Sequence, residues 1–121
     1  MNRKAVGTAI YPNKGDNLYY PALGLAGEAG EVCDKIKKIM RDCNGTPTPE
    51  QEVEIIKELG DVLWYVANLC EELDYDMSEA ATRNIAKLES RKMRGTLKGS
   101  GDNRWCLFIL TSAPSVVDIL K

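Results

Sequence analysis

The stretch Thr48-Pro-Glu-Gln-Glu-Val-Glu-Ile-Ile-Lys-Glu58-Leu-Gly-Asp61-Val-Leu-Trp-Tyr-Val-Ala-Asn-Leu-Cys-Glu-Glu-Leu73 decides the fold class. At about 100° of rotation per residue, Leu69, Val62, Ile55, Leu73, Val66, Leu59, Cys70, Leu63 and Ile56 share one face, from about 20° to about 160° past Glu58. Thr48 suits an N-cap, Pro49 the first helical position, and Gln51 completes a capping box. Glu50, Glu52 and Glu54 favour the positive end of the helix dipole. The segment predicts one long amphipathic helix.

The same pattern lies on both sides of it. Upstream, a helix is predicted from about Asn17 or Pro21 to Arg41, with Pro21 in its opening turn. Its core stripe is Ile39, Val32, Leu25, Ile36, Ala29, Met40 and Cys33, and Asn44-Gly45-Thr46-Pro47 ends it. Downstream, a third helix is predicted from about Asp76 to Met93, with Asp76 and Glu79 as a capping-box pair and a stop near Gly95. The stretch before Tyr20 is mixed, with a turn at Tyr11-Pro12-Asn13-Lys14-Gly15. Residues 95–104 read as a polar flexible segment. After them come an apolar run, Trp105 to Leu110, and a last helical turn at Ser115 to Leu120. The class is all-α, with antiparallel neighbours across the short loops.

Composition narrows the chemistry. The chain has 121 residues, which allows one domain. Its net charge of −2 gives no basic field for nucleic acid or an anionic membrane. No histidine is present, so imidazole bases and His-containing zinc sites are excluded. Cys33, Cys43, Cys70 and Cys106 form no CxxC pair, and Cys33 and Cys70 fall in apolar stripes, as buried thiols of a reducing compartment do. Met1-Asn-Arg-Lys4 leads into no signal-peptide core, and no apolar run approaches the ~20 residues of a membrane span. A cytoplasmic address is expected.

Carboxylates therefore carry the chemistry. Glu28 borders the stripe of the first long helix and Glu31 lies about 60° beyond; Glu58 and Asp61 repeat that geometry on the second. Packing the two faces antiparallel allows four carboxylates to converge at one edge of the seam. Their repulsion demands a compensating cation, and a hard divalent ion such as Mg2+ suits oxygen ligands. Two solvated helix faces are the competing reading. Gly27, Gly30 and Gly60 beside the acids predict close backbone approach or a packing demand.

Acids concentrate between Glu50 and Asp76, whereas Arg83, Lys87, Arg91, Lys92, Arg94, Lys98 and Arg104 dominate the following segment. On the third helix Asn84, Lys87 and Arg91 form one polar strip. The strip is either a solvated or salt-bridged basic face or, beside a divalent ion, a seat for phosphates.

Gly24-Leu-Ala-Gly-Glu28-Ala-Gly-Glu31-Val, with Lys57-Glu58-Leu-Gly-Asp61-Val-Leu-Trp-Tyr, resembles the ExxE…ExxD signature of the MazG-like, all-α nucleoside triphosphate pyrophosphohydrolases. The likeness runs from Thr8-Ala-Ile-Tyr-Pro-Asn-Lys-Gly-Asp-Asn-Leu to Arg104 and includes Asn84-x-x-Lys87-x-x-x-Arg91. It implies an antiparallel helical bundle completed by homo-oligomerisation, as a homodimer or homotetramer. It implies a catalytic domain over 1–104, leaving 105–121 as an extension for which the resemblance gives no role. It implies Mg2+-dependent hydrolysis of an NTP or dNTP to monophosphate and pyrophosphate, in nucleotide-pool house-cleaning, with Mn2+ as a substitute ion. Glu28, Glu31, Glu58 and Asp61 would be the metal ligands and catalytic carboxylates. One of them, or a water beside the metal, would activate the water that attacks the α-phosphorus. Asn84, Lys87 and Arg91 would hold the phosphates. Asn17, Tyr20 and Trp64 would meet ribose or base, although Trp64 also suits a subunit interface. The resemblance also implies a helical stretch before Thr8, where this sequence has Met1–Gly7. The alternatives are a non-catalytic helical interaction module and a dUTP- or dCTP-preferring nucleotidase relative.

Overall fold

The computed structural model describes residues 2–97, and within them the chain is helical without strands. The helices are α1 (Asn2–Gly7), α2 (Tyr19–Asp42), α3 (Pro49–Glu72) and α4 (Met77–Met93). The apolar run at Trp105 and the turn at Ser115 lie outside the described residues. The chain divides between Ala80 and Ala81, inside α4, into two units.

The predicted cap at Thr48 and the predicted stops after α2 and α4 are present. Thr48 Oγ1 accepts from the Gln51 N–H at 3.2 Å, and the Thr48 N–H donates to Gln51 Oε1 at 2.8 Å, so the capping box closes in both directions. Asn44 and Gly45 adopt positive φ of 53° and 82°, which turns the chain out of α2. Asn13 and Gly15 do the same in the 12–15 turn, and Gly95 beyond α4. At the start of α4 the Asp76 carboxylate accepts from the N–H and the hydroxyl of Ser78, at 2.9 and 2.8 Å. The mixed opening stretch holds a helix the periodicity did not predict: α1 spans six residues, too few for an amphipathic pattern to show, and it packs on α3.

α2 and α3 form an antiparallel pair. Gly24 lies against Tyr65, Lys35 against Glu58, and Cys43 against Gln51, so residue numbers rise on one helix as they fall on the other. A Cβ on Gly24 would sit 2.1 Å from the Tyr65 ring, which makes this the close approach between the two helices. Gly27, Gly30 and Gly60 correct the prediction made for them: none has an atom within 4 Å of where a Cβ would stand.

The stripes are wider than the seam. Ile39 is buried and Leu25, Val32, Ile55, Val62, Val66 and Leu69 are half-buried, all on the part of each stripe nearest the acids. The far part is uncovered, with Ile36, Met40, Ile56, Leu59 and Leu63 exposed; Met40 is 68% and Ile56 66% accessible. Cys33 belongs to that uncovered edge and is exposed, against the expectation of a buried thiol. Two helices side by side cover one flank of each stripe, and a third body is needed for the other.

In the second unit, α4 carries its polar strip with Asn84 exposed and Lys87 and Arg91 half-buried. The Arg91 carbonyl accepts from the Thr96 N–H at 2.9 Å, closing the chain over the helix end at Gly95.

Candidate metal centre

α2 brings Glu28 and α3 brings Glu58 and Asp61 to one place on the acidic edge of the first unit. One carboxylate oxygen from each lies within 4.8 Å of the other two. Glu28 and Glu58 are half-buried and Asp61 is exposed. Burial pushes the Glu28 carboxyl above its usual range, and the charges of Asp61, Glu58 and Glu31 push it further in the same direction. Like charges so close repel one another, and an oxygen-seeking cation relieves that repulsion. The donor set therefore fits a hard divalent ion. Glu31 lies outside the group of three, near enough for its charge to bear on Glu28.

A cation stands beside the triad. Lys35 Nζ is 3.1 Å from Glu58 Oε1 and 3.7 Å from Glu54 Oε2. Its bond to Glu58 raises the ammonium pKa against the opposing effect of burial, helped by the charges of Glu58, Glu54 and Glu31. Sequence reading missed this residue, although the signal was there. Lys35 falls about 20° from Glu28 on the α2 wheel, on the side of Glu31, and Glu54 about 40° from Glu58 on α3.

Aromatic rings flank the acids. Tyr20 stacks on Tyr11 at 4.9 Å with 16° between planes, and its other neighbour, Tyr65, is 6.4 Å away. Burial raises the Tyr65 phenol, with Tyr20, Glu28 and Asp61 adding to it, so this ring borders the triad. Trp64 meets Tyr65 edge-on at 4.9 Å and donates its indole N–H to Thr8 Oγ1 at 2.7 Å. Asn17 shapes the chain entering α2: its Nδ2 donates to the Pro12 carbonyl at 2.8 Å, and its Oδ1 accepts from the Tyr20 N–H at 3.1 Å.

Residues 21–95 match the MazG nucleotide pyrophosphohydrolase domain. The chain belongs to this family. The MazG match takes in α2 from Pro21 onward, all of α3 and all of α4, so all four carboxylates of the ExxE…ExxD signature lie inside it. The chain is also 52% identical over 102 residues to the Gene 37 protein of Mycobacterium phage L5, covering 80% of this chain and 90% of that protein. No solved structure matches it. For a MazG domain the all-helical architecture is the expected one.

A second carboxylate on α3 has the opposite surroundings. Glu72 accepts from the Tyr11 hydroxyl at 2.6 Å and from the N–H groups of Gly15 and Asn17, each at 2.9 Å. Burial pushes Glu72 upward, yet the Asn17 amide, the Tyr11 hydroxyl, the Gly15 amide and the Lys14 charge together hold it below its ordinary value. The Tyr11 phenol rises well above its own, through burial first and then through Glu72. Glu72 thus clamps the 12–17 loop and, through Tyr11, supports the Tyr20 ring. Among the described residues no helix is long and apolar enough to cross a membrane.

Proposed function

We propose that the chain is a divalent-metal-dependent nucleoside triphosphate pyrophosphohydrolase, releasing pyrophosphate and a nucleoside monophosphate. One observation carries the reading: Glu28, Glu58 and Asp61 reach one point from two antiparallel helices, with Glu28 already resisting ionisation. Bound Mg2+, or Mn2+ in its place, would neutralise phosphate charge and make a coordinated water more acidic. Glu28, Glu58 and Asp61 hold it, with Glu31 joining from the edge of α2. Tyr20 is partly exposed and already stacked on Tyr11, which suits it to meet a base or ribose. Trp64 and Asn17 act beside it, holding that wall through Thr8 and Pro12. Asn84, Lys87 and Arg91 take the phosphate-binding role that the family signature gives them. The uncovered edge of Ile36, Met40, Ile56, Leu59 and Leu63 supports assembly of copies of the chain as a homodimer or homotetramer.

The test is product analysis over a panel of NTPs and dNTPs with Mg2+ or Mn2+. Pyrophosphate and monophosphate are the expected products, lost in Glu58→Gln. Orthophosphate as the first product would overturn the assigned bond, and no turnover on any nucleotide would favour an interaction module. The panel also reads base preference, including dUTP and dCTP.

A further inference from the structure

We propose that Lys35 is the internal counter-cation of the acidic cluster, seated on Glu58 while no divalent ion is bound and passing to Glu54 when one binds. The inference rests on the metal-site reading above and concerns how that site is regulated. Two carboxylates already flank the ammonium. Glu58, at 3.1 Å, is a member of the triad; Glu54, at 3.7 Å, lies one turn earlier on α3 and outside it. The Lys35 side chain is 28% and that of Glu58 18% exposed, so the pair is held against the helix seam and screened less than a surface pair.

A divalent ion on Glu58 and the ammonium on the same carboxylate repel each other at short range. The flexible four-carbon stem of lysine lets its charge move a few ångströms without moving the backbone. Glu54 is ready to receive it, because Lys57 Nζ holds Glu54 Oε1 at 2.5 Å while Oε2 faces Lys35. The arrangement also sets a threshold. A monovalent ion offers Glu58 no more charge than the ammonium it would displace, whereas a divalent ion does.

The experiment is calorimetric titration of the full chain with Mn2+ alone, without nucleotide. Lys35→Met should bind Mn2+ more tightly, by roughly two- to fivefold on the scale of a partly exposed ion pair. Lys35→Arg, which keeps the charge, should stay close to wild type. Glu54→Gln removes the second seat and should weaken binding, and that weakening should shrink by at least half in the Lys35→Met background. Lys35→Met binding no tighter than wild type, or Glu54→Gln weakening both backgrounds equally, would overturn the inference. Wild-type binding that Glu58→Gln leaves intact would instead overturn the site reading, and the inference with it.

Discussion

Two carboxylate settings on α3 stand about three to four helical turns apart and differ in every respect that matters. Glu72 receives three hydrogen bonds, and its charge is satisfied by donors the chain supplies. Glu58 and Asp61 face another acid, with Lys35 the cation at their side. Donors that satisfy a carboxylate tie loops together; acids left facing one another are the basis of the metal site proposed above. Adjacent Glu71 and Glu72 look alike in sequence, so the distinction is made by what the fold brings to each.

The largest expected effect lies at the unsatisfied site. Asp61→Asn should lower pyrophosphate release by about 10²–10³-fold, with the metal-free fold as stable as wild type or more so, because repulsion is relieved. A stability loss in proportion to the activity loss would break the contrast, by giving Asp61 the same structural role as Glu72.

Glu72 should behave in reverse. Glu72→Ala should cost about 2–3 kcal/mol by denaturant unfolding, since the amides of Gly15 and Asn17 and the Tyr11 hydroxyl lose their acceptor. The pH dependence has a definite sign. A carboxyl held below its unfolded value contributes stability that is present above the unfolded pKa, near 4.5, and is lost as pH falls through the lower folded value. Glu28, held above its unfolded value, gives the opposite sign: its ionisation works against the metal-free fold as pH rises above about 4.5. Acid unfolding of wild type against Glu72→Gln reads the first contribution directly, and identical curves would remove Glu72 from the account.

Gly24 and Gly27 sharpen the comparison along α2. Gly24→Ala should destabilise by about 1–3 kcal/mol and change the near-UV circular dichroism of the Tyr65–Trp64 pair, because its Cβ would meet the Tyr65 ring at 2.1 Å. Gly27→Ala, with open space at its Cβ, should gain the ordinary helix propensity of alanine, up to about 1 kcal/mol. The smallest loss is expected at Thr48→Ala, about 1 kcal/mol of thermal stability from the opened capping box.

Much of this was legible in the sequence. The wheels placed Glu28 with Glu31 and Glu58 with Asp61 on matching borders of two stripes, and antiparallel packing brings Glu28, Glu58 and Asp61 together while Glu31 stays outside the group. The caps at Thr48 and the stops at Asn44 and Gly95 could be read because those residues act locally. What escaped depends on contacts between distant segments. Lys35 and Glu54 carry no motif, and their meaning appears once α2 and α3 are set side by side. Glu72 gains its donors from a loop more than fifty residues away. The glycines were misassigned for the same reason, since a helical glycine does not reveal whether its bare side faces a ring, as at Gly24, or open space, as at Gly27, Gly30 and Gly60. The exposure of Ile36, Met40 and Cys33 follows from geometry as well, because a stripe shows what is apolar and not which part a single neighbour can cover.

The central claim is that three acids from two helices share one divalent ion. Anomalous diffraction from crystals soaked in Mn2+ tests it most directly. The account predicts a manganese peak among the Glu28, Glu58 and Asp61 carboxylates, at coordination distances of about 2.0–2.3 Å, with the Lys35 ammonium shifted towards Glu54. Crystals with manganese bound elsewhere, and these three carboxylates left facing only water and Lys35, would contradict it.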